Sequence, residues 1–398
     1  MSLPPVFRDP RIGVMCAGNF MVGTSMYIVG GLLVQLSDAF QVSVSKAGFL
    51  IAAFALTSVV ASPVFATISA RIDRRVLLTS MLLLCALANG LAWFAQTYEQ
   101  FLGTRVLAAV ASAVFTPQAA AALGLLVTPA QRTQATSAVM LGWALASVMG
   151  VPLGVWIGHA AGWRVAMACL GGASLVVAFV LWRLLPSMHL PPINLRSWLT
   201  VLRTPALFLI IAASAIFGAG NHAVFSYIAP LITHVQPDDP GLLSSLLLAH
   251  GAAAVLSNVL AIVLIGRLGL ERMVRLWGLL PIAVFAVWPL LSSWMLALFL
   301  MQMVWAIGAS GFSGLQQARL AALAPALSGA SIALNSSAFY LGQSTGTLLG
   351  GAAWSLMDPR YLPWLGVSLL VPAMLLSRKG RHAARRLHKE DFTIPPTP

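Results

Sequence analysis

The sequence predicts an all-α membrane protein, with twelve transmembrane helices arranged as two parallel six-helix repeats. Three observations carry that fold class: a scarcity of charge, a succession of apolar runs of spanning length, and a self-similarity at an offset of 200 residues. The 398-residue chain is 59% hydrophobic and only 8% charged, with a mean hydropathy of +0.89. A soluble domain carries about a quarter charged residues, so a soluble globular enzyme and a disordered chain are both excluded. The apolar runs lack the period-two alternation of a membrane β-strand, and about 20 helical residues suffice to cross the hydrocarbon core.

The spans follow in order. The first, 12–36, is too long for a signal-peptide core and no cleavage pattern follows it, so it is expected to stay in the protein. Spans 47–70 and 76–96 flank the basic turn Arg71, Asp73, Arg74, Arg75. Span 101–127 contains Arg105, span 134–158 is rich in glycine, and span 164–185 completes the first six. A linker with Pro186, Pro191 and Pro192 then separates them from spans 205–230, 242–266, 273–292, 294–318, 329–354 and 361–377. The expected organisation is a bundle over 1–185, a cytoplasmic linker over 186–204, a second bundle over 205–377 and a basic tail over 378–398.

An even number of spans places both termini on one side. With that side cytoplasmic, 19 of the 23 Lys and Arg residues are inside, only Lys46, Arg164 and Arg360 are outside, and Arg105 is the only one read as lying within a span. Positive residues mark the cytoplasmic side, so the net charge of +13 is accounted for without nucleic acid. Cys16, Cys85 and Cys169 all lie in apolar runs and read as small core residues, not as disulfides or metal ligands.

The two halves repeat. At the offset of 200, Gly18, Tyr27 and Ile28 recur as Gly218, Tyr227 and Ile228, and Ser137, Ala138, Leu141, Gly142 and Gly150 recur as Ser337, Ala338, Leu341, Gly342 and Gly350. Parallel repeats of this kind are the architecture of alternating-access carriers.

These residues resemble the major facilitator superfamily, and within it the bacterial twelve-span drug and sugar efflux branch of the arabinose-efflux-permease type. Gly23-Thr24-Ser25-Met26-Tyr27-Ile28 is similar to the opening helix, and Tyr227-Ile228-Ala229-Pro230 has the matching form in the seventh span. Arg105 followed by Ala109 looks like the buried arginine motif, with its glycine replaced. Gly142, Gly150, Pro152 and Gly154, followed by Gly162-Trp163-Arg164, are similar to the antiporter motif. Asn335 and Gly342-Gln343-Ser344-Thr345-Gly346 are also in pattern. Two departures stand out. The inner loop has lost both glycines and the aspartate of the family pattern, with Asp73 keeping a carboxylate nearby. Met26 stands where many relatives carry a glutamate that is a candidate proton carrier.

Several candidates follow from the residue chemistry. Gly142, Ala146, Gly150 and Gly154 share one helical face, and Gly342, Gly346 and Gly350 repeat the stripe; small residues admit a neighbouring helix closely. Two readings stand for the stripes, plain packing or a sliding contact between the halves. Arg105 reads either as an arginine snorkelling to the outer interface or as a cavity residue that binds an anionic group or orients helices. No acid lies mid-span, so His222 and His250 are the titratable candidates for proton coupling. Asn19, Tyr27, Trp143, Asn221, Tyr227, Trp305, Asn335 and Gln343 complete the candidate cavity set, while Asn89 is expected to be peripheral. Trp305 stands where the repeat places Arg105, which predicts an asymmetric cavity suited to an amphipathic molecule. Arg71, Asp73, Arg74 and Arg75 look like a cytoplasmic gate, with Arg267, Glu271 and Arg272 as a weaker counterpart.

No Walker A sequence, metal-ligand pairing or nucleophile elbow is present, so neither a cofactor nor a metal is expected. The sequence therefore predicts a multi-pass carrier of the bacterial inner membrane, monomeric, with both termini cytoplasmic. Its expected partners are a small-molecule substrate, membrane lipid and protons. The expected role is efflux of a drug-like or sugar-like amphipath. An uncoupled facilitator and a transport-dead receptor are the alternatives.

Overall fold

A computed structural model describes residues 9–69, 72–128, 132–189, 195–235 and 240–391. Among these residues every regular element is helical. The first repeat comprises α1 (Pro10–Gly31), a short α2 (Leu33–Ala39), α3 (Val44–Ile68), α4 (Arg74–Leu91), α5 (Tyr98–Leu126), α6 (Arg132–Leu145), α7 (Val151–Ala161) and α8 (Trp163–Leu184). A connecting helix, α9 (Leu195–Arg203), leads to α10 (Pro205–Phe225), a short α11 (Ile228–Val235), α12 (Pro240–Leu268), α13 (Leu270–Leu291), α14 (Met295–Leu323), α15 (Ser328–Leu356) and α16 (Leu362–Asp391).

Eleven segments are long and apolar enough to cross a membrane. The helix α15 is not among them, because its serines, threonines and glycines lower its hydropathy. It is nonetheless 29 residues long and packs between α10 and α3, completing twelve crossings in two six-helix repeats. Its buried polar and small residues pack against α10 and α3, while Leu341, Leu348 and Leu349 form its exposed face.

Helix ends follow local chemistry. The Asp9 carboxylate accepts from the Arg11 amide and caps α1, Asp73 does the same for α4 through the Arg75 amide, and Thr97 with Gln100 forms a reciprocal capping box on α5. Gly162 (φ 92°) and Gly269 (φ 75°) separate α7 from α8 and α12 from α13 in a backbone region that side chains avoid. The fifth span departs from a plain helix. Ala146–Gly150 forms a π-helical turn between α6 and α7, with the Val151 amide bonding to the Ala146 carbonyl. Pro152 has no N–H to offer the Val148 carbonyl, and a one-residue shift of the ladder accommodates that gap. The last span runs on without a break from Leu362 to Asp391, so the beginning of the expected tail is helical.

The glycine stripes pack helices within each half. Gly142, Gly150 and Gly154 face α1 at Cys16, Thr24 and Ile28, and Gly342, Gly346 and Gly350 face α10 at Ala215, Ala219 and Ala223. The halves meet elsewhere, along two seams. In one, α3 packs against α15 and the Ser344 hydroxyl donates to the Ala52 carbonyl at 3.0 Å. In the other, α12 packs against the π turn and α7, where Gly251 lies directly on the Ser147 and Val148 backbone.

Candidate solute-binding cavity

Between the seams lies a cavity of ≈ 1560 Å³. Its lining runs from Tyr27 late in α1 and Phe225 at the end of α10 to Gln118 and Ala121 late in α5, Ile265 late in α12, Gln317 and Ala318 late in α14, and Arg74 and Trp198. It therefore opens on the face where α1 begins and α16 ends, beside α9. The opposite face is closed by α11 against α1 and α2 and by the two seams. There Tyr227 is buried between Gly48 of α3 and Gly351 of α15, and its hydroxyl donates to the Thr347 carbonyl at 3.0 Å.

The two walls differ. On the first-repeat side, Tyr27 packs edge-on against Trp143 at 5.7 Å, and Trp143 Nε1 donates to Thr116 Oγ1 at 3.0 Å. Thr116 in turn donates to Asn19 Oδ1 at 2.8 Å, and the Asn19 amide donates to the Val139 carbonyl at 2.9 Å. On the second-repeat side, His222 Nδ1 lies 3.0 Å from the Gly218 carbonyl and His250 Nδ1 lies 3.1 Å from Gln302 Oε1. Each partner is an acceptor, so in the neutral ring the proton belongs on Nδ1 and Nε2 keeps a free lone pair. Phe225 packs against both imidazoles, at 6.0 Å from His222 and 5.2 Å from His250. Asn335 lines the cavity with Oδ1 buried and without a hydrogen-bond partner. The result is an aromatic enclosure carrying imidazole and amide groups that can accept hydrogen bonds.

Of the residues expected at the cavity, Tyr27, Trp143, Asn221, His222, His250 and Asn335 line it, and Arg105, Asn19, Tyr227, Trp305 and Gln343 do not. Asn19 stands one layer behind Thr116. Trp305 is fully buried and donates from Nε1 to Asn221 Oδ1 at 2.7 Å, so it supports a lining residue from behind. Gln343 is buried within α15, and Tyr227 belongs to the closed seam. Arg105 is 0% exposed. It does not snorkel outward; Nη2 donates to Asn89 Oδ1 at 3.1 Å, Nε donates to Thr104 Oγ1 at 3.3 Å, and the guanidinium sits 5.0 Å from the Phe101 ring centroid. Asn89 is thus central rather than peripheral, since it also exchanges hydrogen bonds with Ser25.

The open-face charges also differ from expectation. Arg319, read as a loop residue, lies inside α14 at 2% exposure and pairs through Nε with Glu271 at 2.8 Å. Ser377 Oγ accepts from it at 3.0 Å. Arg105 is therefore not the only basic residue within a span. Glu271 consequently serves Arg319, not a latch with Arg267 and Arg272. In the first repeat, Arg75 donates to the Trp182 carbonyl at 2.7 Å and stacks on its ring, and Arg74 donates to the Ser69 carbonyl at 3.0 Å. Asp73 accepts from Ser187 and from the Arg75 amide. Burial alone would raise the Asp73 pKa, but these bonds outweigh it and hold the carboxyl below its usual range. Arg71 lies outside the described residues.

Sequence reading missed Gly48, Gly251 and Phe225. Phe225 sits two residues before Tyr227 and carries no motif, and the two glycines lie outside the periodic stripes; only the packing of one half on the other singles them out.

Two helical repeats around a cavity closed at one end define a multi-pass membrane transporter. The chain belongs to the Major Facilitator Superfamily, whose sequence model matches residues 15–255, and is a transporter, not an enzyme. It is 24% identical over 370 residues to an uncharacterized MFS-type transporter, YbcL, of Bacillus subtilis (strain 168), covering 92% of this chain and 95% of the other. It is 27% identical over 363 residues to a probable sugar efflux transporter of Mannheimia succiniciproducens, covering 90% of each chain. The fold matches a bacterial homolog of the human lysosomal transporter Spinster in its inward-facing, unoccupied conformation, with a TM-score of 0.75 at 16% identity over 100% of both chains. The occupied conformation of that homolog matches with a TM-score of 0.71 at 15% identity, over 96% of this chain and 98% of the other.

Proposed function

We propose that the protein exports a small amphipathic, sugar-like compound across the bacterial inner membrane by alternating access, with its termini in the cytoplasm and the cavity open inward. The observation that carries this reading is the one-ended cavity with its aromatic enclosure and hydrogen-bond acceptors. Aromatic faces suit the C–H faces of a ring, and His222, His250 and Asn335 suit hydroxyl donors. The probable sugar efflux function of the Mannheimia relative supports the same class. Rocking one repeat on the other would break the α3–α15 and α12–π-turn seams and expose the site to the far side.

Proton uptake is assigned to His222, which faces the cavity and can gain a proton at its free Nε2. In proteoliposomes with an imposed pH gradient, His222→Ala is expected to abolish the gradient-driven component of sugar flux while the protein still inserts. Flux with unchanged pH dependence in that variant removes the coupling role. A second reading, an uncoupled facilitator, is favoured by one observation: no carboxylate lines the cavity among the described residues. Wild-type flux that is insensitive to the pH gradient selects it.

A further inference from the structure

The carrier reading leaves one buried charge without a task. Arg105 sits on α5 in line with Ala109 and Ala113, four and eight residues further along the same helical face. Ala113 lines the cavity, about 12 Å from Arg105 along the helix axis. Ala108 and Ala109 pack in one cluster with Met26, whose side chain also lines the cavity. Arg105 therefore lies one layer of side chains behind the blind end.

Its partners are all neutral. Asn89, Thr104 and the Phe101 ring receive its charge, and Nη1 has no hydrogen-bond partner. Arg319, also buried within a span, has Glu271. Arg74 is the only Lys or Arg among the lining residues, and it sits at the mouth beside Asp73. No Asp or Glu lines the cavity among the described residues. A positive charge with no carboxylate beside it, linked through Asn89 to Ser25 next to the lining residues Met26 and Tyr27, projects its field into the blind end of the cavity, where no described Asp or Glu opposes it.

We propose that Arg105 sets the charge selectivity of the carrier, excluding organic cations and admitting neutral or anionic solutes. The proposal rests on the cavity being the solute path. It narrows the substrate class: lipophilic cations, which match the aromatic enclosure sterically, are rejected electrostatically.

The test measures the field without needing the substrate. Tyr27→Cys, at a partly exposed lining position two residues from Ser25, is introduced into a Cys16→Ala, Cys169→Ala background, with the fully buried Cys85 retained. Labelling rates are compared for an anionic (sulfonatoethyl) and a cationic (trimethylammonioethyl) methanethiosulfonate, each normalised to a free thiol. The anionic reagent is expected to be favoured by about sixfold to fortyfold, as for a unit charge about 15 Å away that acts with opposite sign on the two reagents in an effective dielectric of about 20–40. Arg105→Gln should bring the ratio to unity and Arg105→Lys should preserve it, with all variants monodisperse in detergent. A ratio at or below unity in the Arg105 protein, or a preference that survives Arg105→Gln, overturns the proposal. Labelling by neither reagent overturns the solvent-open cavity itself, and the selectivity with it.

Discussion

The two repeats share a plan and differ in what they place at matching positions. Arg105 in the first corresponds to Trp305 in the second, Tyr27 to Tyr227, and Ile51 to Gly251, each at the offset of 200. Tyr27 faces the cavity because α1 runs on to Gly31. Tyr227 falls in the turn after α10 ends at Phe225, so its ring enters the closed seam. The first repeat buries a charge behind its wall; the second buries an indole that holds Asn221. A near-symmetric scaffold thus yields one wall backed by a buried cation and one backed by a buried indole. The difference lies in side chains and helix ends rather than in topology.

The largest expected effect concerns Gly251, where the first repeat has Ile51. Ile51 packs in the core of the first half, whereas Gly251 carries no side chain and lets α12 rest on the π turn of the other half. Gly251→Leu would place a side chain against backbone atoms that cannot move aside, unlike the far end of a flexible side chain. It should part the α12 seam and reduce flux at least about tenfold, the scale of one to two kcal/mol in the balance between states. Gly266→Leu is the control, since Gly266 sits on the same helix with open space around its Cβ position. Equal flux in both variants would mean that the contact does not govern the closed face.

How much of this was legible in the sequence follows from what each signal reports. Apolar runs and the distribution of Lys and Arg predict the twelve helices because the bilayer imposes length and composition on each span independently. The weakly apolar α15 falls below a hydropathy threshold, yet apolar runs and turn signals still mark it as a span, and its glycine register repeats that of the fifth. The cavity is only half legible. Asn221, His222, His250 and Asn335, polar groups in apolar helices, lie in the cavity lining. Spacing along one helix does not say whether a buried polar residue faces the cavity or the layer behind it, and so Asn19, Trp305 and Arg105 fall behind the wall. The glycine stripes show the same limit. Their period marks a close helix contact, but the partner, α1 or α10 within the same half, emerges only from tertiary packing.

The second comparison sets the two buried arginines against each other. Arg319 has a carboxylate partner and Arg105 has none. Glu271→Ala should therefore cost about 2–4 kcal/mol, because it strands a charge that is 2% exposed. Arg105→Gln should cost less than about 1 kcal/mol, since losing two hydrogen bonds is offset by removing an unpaired cation from an apolar interior. Apparent melting temperatures in one detergent rank the two variants. If Arg105→Gln proves the more destabilising, the arginine is chiefly a structural strut.

The smallest effect compares the helix starts on the open face. The first repeat caps α4 with the Asp73 carboxylate; the second begins α13 after Gly269, with no side-chain cap. The folded-state pKa of Asp73 lies below its unfolded value, with burial opposing and the bonds from Ser187 and backbone amides prevailing. Its contribution to stability is thus fully present above the unfolded pKa of about 3.9 and is lost as pH falls through the lower folded value. The contribution is about 1 kcal/mol, the scale of an N-cap. Asp73→Asn keeps a capping oxygen for the Arg75 amide but cannot ionise. The melting temperatures of the wild-type protein and of this variant should therefore differ by a constant amount above about pH 5 and converge below about pH 4. The other carboxylates titrate alike in both proteins, so a difference that stays flat across that window would show that the carboxylate charge adds nothing to the cap, and that the two repeats begin their third spans on equal terms.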